Sequence, residues 1–394
     1  MVSFIMASPV VEWLLSAGQT IFWAVLVLGA LIFVHELGHH LAAKKLCIGV
    51  SVFSLGFGRR LWGFHRGETE YRLSLIPLGG YVKLVGEDPE AGAEPPKEPE
   101  KSFYLRPVSH RLIVIAAGPL ANILAAVVLS WGLHVAGIPV PGTWVGGVLP
   151  NSPAEEAGLR PGDHIVAVDG KPVQKWNDLV EMVREKAGKR LPLLIDRAGA
   201  KVTLPVTPTS KGEDGQELGY GRIGISLGQG FVTEYHGPVE ALGQGFLQTY
   251  RIARLTVVSL YAMVARIIPA DIGGPIRISV VAAEQAQRGL RYLVMFTILL
   301  SVNLAILNLL PIPILDGGHI LFLGIEAALG RPLSLRVRET AMQVGTVLLI
   351  ALMIFATYKD SVYYLLSRDG EAPARQEPQK QPVPAKPPAP AGQR

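Results

Sequence analysis

The sequence predicts a polytopic α-helical membrane protein, with four transmembrane helices and a folded soluble region between the second and third. Three observations carry this. The 394 residues are 49% hydrophobic and only 18% charged, with a mean hydropathy of +0.34, which is too apolar for an ordinary soluble protein. Four apolar segments each approach the ~20 residues needed to cross hydrocarbon. Basic residues gather between the first two of them, from Lys44, Lys45, Arg59, Arg60 and Arg66 to Arg111. That clustering marks a cytoplasmic loop better than a nucleic-acid surface, and no nucleic-acid partner is expected.

The first span, about Val10–Leu46, carries His35-Glu36-Leu37-Gly38-His39 in its later half. On a helix, positions i and i+4 share a face, so two imidazoles at this spacing can reach one metal with Glu36 beside it. Two histidines and a glutamate are costly within hydrocarbon, which points to function. The amino terminus lacks a basic n-region, so this run is expected to be a retained span. The single cysteine, Cys47, excludes an intramolecular disulfide framework and a multi-cysteine metal site, and reads as a packing residue.

The second span is about Leu112–Val135, the third Leu290–Leu310 and the fourth Ala341–Tyr358. Arg336 and Arg338 before the fourth suggest a second cytoplasmic loop, leaving the amino terminus and Pro141–Gly289 outside. Gln244–Ile268 is a further helix that Arg251, Arg254 and Arg266 divide, so it reads as interfacial. An extra crossing there would put the inner ends of spans one and three on opposite faces.

Thr143–Thr209 reads as a separate domain: a short strand at Val145–Leu149, a brief helix from Ser152-Pro153-Ala154, and a strand at His164–Val168. That strand enters an Asp169-Gly170 hairpin. Asn177 is the expected N-cap of a helix over Asp178–Lys186, followed by a hairpin of Leu191–Asp196 and Lys201–Val206. The phrase N-S-P-A-x-x-A-G-L-x-P-G-D-x-I-x-x-V-D-G resembles a PDZ domain, a fold that takes extended peptide or protein ligands by strand addition. Glu87–Glu100 reads as a flexible loop and Glu371–Arg394 as a disordered tail rich in Pro, Ala, Lys and Gln.

Two histidines do not complete a hydrolytic metal site, which takes three protein ligands and one open position. Asp316 is the best third candidate. It follows Pro311 and Pro313, which stop the third span and free backbone groups that only a protein-lined or wet cavity tolerates. Asp316 could instead cap the next helix, and Glu36 could orient a histidine rather than act as a base. His40 and His319 adjoin these residues and read as packing or supporting groups.

The two membrane motifs, H-E-x-x-H and N-x-x-P-x-P-x-L-D-G-G over Asn308–Gly318, together resemble the site-2 protease family of intramembrane zinc metalloproteases. The similarity covers most of residues 10–360 and is nearest the bacterial regulator of sigma-E protease type. The resemblance implies Zn2+ held by His35, His39 and Asp316, with Glu36 catalytic and Asn308 holding substrate backbone. It further implies that Phe53–Val85, with Gly56 and Gly58, is a membrane-associated β-hairpin that engages substrate; both glycines could equally serve turn geometry, and Asn308 the broken helix end. Gly118-Pro119-Leu120-Ala121-Asn122 matches another family segment.

The expected organisation is a membrane part at 1–138, one extracytoplasmic PDZ domain at 139–212, a connector at 213–289, a second membrane part at 290–360 and a tail at 361–394. The implied activity is hydrolysis within the transmembrane segment of a single-pass protein such as an anti-sigma factor, pre-cleaved by another protease. The implied setting is the lipid bilayer of the bacterial inner membrane, with the site near the cytoplasmic side. The alternative is a membrane-anchored PDZ adaptor with a structural metal site.

Overall fold

The computed structural model describes residues 9–87, 98–212, 216–267 and 273–368. In chain order the helices are α1 (Pro9–Lys45), α2 (Val108–Ala136), α3 (Pro153–Glu156), α4 (Trp176–Arg184), α5 (Pro238–Val264), α6 (Pro275–Arg288), α7 (Leu290–Asn308), α8 (Asp316–Leu329) and α9 (Leu335–Arg368). The strands that position the site are β1 (Val50–Arg66) and β2 (Thr69–Leu84). Those that follow are β3 (Ile138–Pro141), β4 (Val145–Val148), β5 (His164–Val168), β6 (Lys171–Pro172), β7 (Leu191–Arg197), β8 (Ala200–Val206), β9 (Thr209–Lys211), β10 (Glu217–Arg222), β11 (Ile225–Leu227) and β12 (Phe231–Glu234). Most of the expected loop at Glu87–Glu100 and the whole expected tail at Glu371–Arg394 lie outside the described residues.

Among the described residues, four helices are long and apolar enough to cross a membrane: Ser16–Lys45, Val108–Ala136, Leu290–Asn308 and Leu335–Tyr364. Only 17%, 33%, 28% and 11% of their most apolar windows is buried by protein, so their apolar faces are left for hydrocarbon. This is a multi-pass membrane protein. The fourth helix starts at Leu335, six residues before the expected Ala341, because Arg336 and Arg338 form its first turn rather than a preceding loop. Helix α5 is not among these four.

Two compact units divide the chain. The first comprises residues 1–122, 255–288 and 303–394. Its core gathers Ala43 of α1, Ile48 just beyond that helix, the ends of the hairpin (Val50, Leu84), Phe103, Val114 and Ile115 of α2, and Leu323 of α8. Arg111, itself buried, forms an ion pair with Glu326 that ties α2 to α8. Asp360 of α9 is buried too, and accepts the backbone N–H groups of Gly274 (3.1 Å) and Arg277 (2.8 Å) at the start of α6. A carboxylate inside a span is thereby paid for by a helix N-terminus. Strands β1 and β2 form an antiparallel pair whose register shifts repeatedly, from Val50 opposite Leu84 to Arg66 opposite Thr69.

Cys47 departs from its expected packing role. It is exposed, with φ +55°, where the chain leaves α1, and its carbonyl accepts Arg106 at 2.7 Å.

The second unit, residues 123–254 and 289–302, holds the PDZ-like domain. A sheet of order β6-β5-β7-β8 packs with α4 around Ile165, Leu179, Leu191, Leu193 and Ile195. The expected strands and hairpins form, and Asp169 (φ +51°) with Gly170 (φ +74°) makes the β5–β6 turn. Two features differ from expectation. Helix α4 starts at Trp176 with Lys175 as its N-cap, not Asn177; Lys175 has the extended backbone of a cap while its side chain pairs with Glu234. The fold also continues past residue 212: β11 pairs with β4, and Ile223 joins the core. A strand that closes the domain from a distance leaves no local signal at its own position.

Asp163 in this domain is 2% exposed and accepts Arg197 Nε at 2.8 Å and the Arg160 amide at 2.8 Å. The Arg197 bonds hold its carboxyl below the ordinary carboxylate range, against the opposing effect of burial. A depressed folded pKa stabilises fully above the unfolded value of about 3.9, and the gain is lost as pH falls through the folded value. Asp163→Asn is expected to cost about 1–2 kcal/mol at pH 7, the low end because Arg197 is partly exposed. Hydrogen exchange of the β5 and β7 amides, compared between the two proteins from pH 7 to pH 3, should show the gap closing in acid. A gap independent of pH contradicts the assignment.

Candidate active site

His35 and His39 sit one turn apart on α1, and their Nε2 atoms are 3.2 Å apart. Asp316 is the first residue of α8. Its carboxylate does not cap that helix, whose N-cap is Leu315; it reaches His35 Nε2 at 3.1 Å and His39 Nε2 at 3.5 Å. The three side chains form a group able to hold a metal ion. Ligand atoms ~2.0–2.2 Å from a tetrahedral centre lie roughly 3.3–3.6 Å from one another, close to the separations seen. Asp316 Oδ2 is buried without a partner of hydrogen-bonding geometry, as an atom awaiting a cation would be.

The backbone around the site explains how these groups converge. Helix α7 ends at Asn308, and the Leu309–Leu315 turn, broken by Pro311 and Pro313, delivers Asp316. A Cβ on Gly317 would lie 2.3 Å from the Leu309 carbonyl oxygen, and one on Gly318 would lie 2.2 Å from that of Ile312. Only glycine lets α8 start so close to the turn. On the other side, α2 approaches α1 through small residues. A Cβ on Gly38 would lie 2.3 Å from the Ala117 oxygen, and one on Gly118 would lie 2.2 Å from His39 Nε2 and 2.9 Å from His35 Cε1.

Both imidazoles are held from behind. His39 Nδ1 is 2.8 Å from the Val114 carbonyl oxygen, to which it donates, leaving the Nε2 lone pair able to take a metal. The Asn122 side-chain amide is 3.3 Å from His35 Nδ1. A ring coordinating through Nε2 carries its proton on Nδ1, so the amide oxygen of Asn122 is the atom that should face it. The Asn308 amide lies 3.3 Å from His35 Nε2, the same ring atom that Asp316 approaches.

A cavity of about 480 Å³ opens over these groups, lined by His35, Glu36, His39, Asn308, Asp316, His319 and Arg338, with Phe57 and the stretch Gly79–Val82. The Val82 backbone amide faces the Glu36 carboxylate. A Cβ on Gly80 would lie 3.0 Å from Glu36 Cγ.

Residues 23–352 match the model of peptidase family M50. The chain belongs to that family. A Rhizobium meliloti protein, provisionally named a zinc metalloprotease, is 36% identical over 352 residues, covering 85% of this chain and 94% of that one. The regulator of sigma-E protease of Salmonella typhimurium is 32% identical over 441 residues, covering 85% and 97%. Among solved structures, the PDZ domain of an SdrC-like protein from Listeria monocytogenes aligns at 21% identity over 23% of this chain and 90% of that one. Its TM-score is 0.20, and it carries no weight here.

This M50 metalloprotease thus brings His35, Glu36, His39, Asn308 and Asp316 to one cavity. Gly56 and Gly58 are not in its wall. Both have φ +86°, and a Cβ on Gly56 would lie 2.6 Å from the Ile76 oxygen, so their conformation shapes the sheet while Phe57 between them faces the cavity. His40 packs against Phe53 and Tyr71, with Nε2 3.2 Å from the Tyr71 hydroxyl, away from the metal group. The sequence reading missed Gly79, Gly80 and Arg338 as wall residues. The Gly79-Gly80 pair inside a strand, where glycine is disfavoured, was the available signal for two of them.

Proposed function

We propose that this M50 peptidase is an intramembrane zinc endopeptidase that cuts within the transmembrane segment of single-pass membrane proteins. The observation that carries the reading is the convergence of His35, His39 and Asp316, from two helices, at separations suited to one tetrahedral ion. Zinc, when bound, supplies the Lewis acidity that polarises a carbonyl and acidifies water. Glu36, its stem set against Gly80 and its carboxylate against Val82 N–H, takes the proton of the attacking water and returns it to the leaving nitrogen. Asn308, beside His35, donates its amide to substrate backbone.

A substrate helix hides its carbonyls in internal bonds and must unwind before it can be cut. Gly80–Leu84 of β2 pairs with β1 on one side, and among the described residues no strand covers the other. An unwound segment can add there as a further strand. In the PDZ-like domain a groove of about 300 Å³ lies beside α4, lined by Trp176, Leu179, Val183 and Tyr220–Ile225. It suits an extended peptide, including a carboxyl end released by an earlier cleavage.

The name of the Salmonella relative supports regulated proteolysis of a substrate such as an anti-sigma factor. The basic residues flanking β1 and β2 support a bacterial inner-membrane protein with the site near the cytoplasm, the PDZ-like domain outside and α5 interfacial.

The test is cleavage of tagged single-pass candidates by the full chain purified in detergent. Chelation is expected to stop cleavage and added zinc to restore it. Turnover undiminished after verified metal removal overturns the reading.

A further inference from the structure

Arg338 is a charged wall residue of the catalytic cavity that the proposed chemistry leaves unused. It belongs to the first turn of α9, where the helix dipole disfavours a cation, and no acidic residue offsets it there. Its neighbour Arg336 is exposed and suffices as a basic anchor beside the membrane. Arg338 is instead half-buried and shares the cavity with Glu36, His39, Asp316 and His319.

Among the described residues its guanidinium has no hydrogen-bond or ion-pair partner. The nearby basic residue Arg111 shows the contrast, since it is neutralised by Glu326. Of the acids in the same cavity, Glu36 faces the Val82 backbone amide, Glu87 accepts the Leu84 backbone amide at 3.2 Å and Asp316 is turned to the two imidazoles. A permanently charged fork with five donors, on a residue that lines the cavity and has no acceptor among the described residues, is suited to receive a carboxylate.

We infer that Arg338 forms a carboxylate-binding subsite of the catalytic cavity. The inference rests on the peptidase reading above. Two carboxylates can reach it: an acidic side chain of the substrate near the cut, or the carboxylate that hydrolysis itself creates when the peptide C–N bond is replaced by C–O. In either case Arg338 acts on binding and not on proton transfer. Lysine would keep the charge but lose the paired donors.

The experiment uses the full chain in detergent and a model single-pass substrate whose cleavage region is uncharged, with one Asp walked through each position beside the cut. In the native protein one position should raise kcat/KM about tenfold, mainly through KM. Arg338→Gln should erase that gain with zinc content unchanged, Arg338→Lys should keep part of it, and Arg336→Gln should keep all of it. This result assigns the subsite to a substrate side chain.

A second arm compares inhibition by the amino-terminal product as free acid and as carboxamide. An acid-to-amide ratio that falls about tenfold in Arg338→Gln assigns the subsite to the product. If no position shows a gain and the ratio is the same in both proteins, carboxylate capture at Arg338 is overturned while the peptidase reading stands. If the native protein cleaves none of the substrates, both readings fall together.

Discussion

Glu36→Gln is expected to lower turnover by about 10²–10⁴-fold, the range supplied by a positioned general acid–base group, while leaving bound zinc unchanged. The amide keeps the size of the carboxylate and its place between Gly80 and Val82, but it cannot accept a proton. His35, His39 and Asp316 are untouched, so metal content measured on the purified protein should match the native value. The paired measurement separates two roles. Loss of turnover with full zinc assigns Glu36 to proton transfer, whereas a parallel loss of zinc would mean that the carboxylate mainly supports the ligands. Native turnover in a metal-replete Gln variant would falsify the catalytic assignment.

Gly118→Ala is expected to disrupt the metal site as severely, although residue 118 touches no substrate. The added methyl would lie 2.2 Å from His39 Nε2 and 2.9 Å from His35 Cε1, so the rings must turn or the helices part. His39 is also tied to Val114 on the same helix, which leaves little freedom to yield. Displaced ligands and lost supporting bonds weaken metal binding by about 10–100-fold or more, and zinc titration with a competing chelator reads this directly. Gly132→Ala, on the same helix, is the control: nothing lies within 4 Å of its added Cβ. It should bind zinc normally and gain up to about 1 kcal/mol from helix propensity. Native zinc affinity in Gly118→Ala would mean that the α1–α2 contact yields without moving the two rings.

The candidate metal ligands were legible because coordination chemistry restricts residue type and local geometry restricts spacing. His35 and His39 share a helix face whatever surrounds them, and Pro311 with Pro313 ends α7 whatever lies beyond. Asp316 was legible for its position after that break, with a cap on the next helix as the lesser alternative. Other residues were ambiguous for the same reason. Gly56 and Gly58 read equally as substrate contacts or as turn residues; both have positive φ and lie outside the cavity wall, which Phe57 between them lines. Asn122 read as a family residue without a clear duty and lies behind the His35 ring.

What the sequence alone determined about this protein is the set of spans, the donor types and the strand and helix order of the small domain through β8. Each follows from hydropathy, periodicity and turn chemistry acting within one short segment. Only the tertiary structure decided which glycines serve helix contact, that β11 pairs with β4, and that Arg338 lines the cavity of His35 and Glu36 while Arg336 is exposed. Those outcomes depend on the distance between segments far apart in the chain, and short-range patterns carry no measure of that distance.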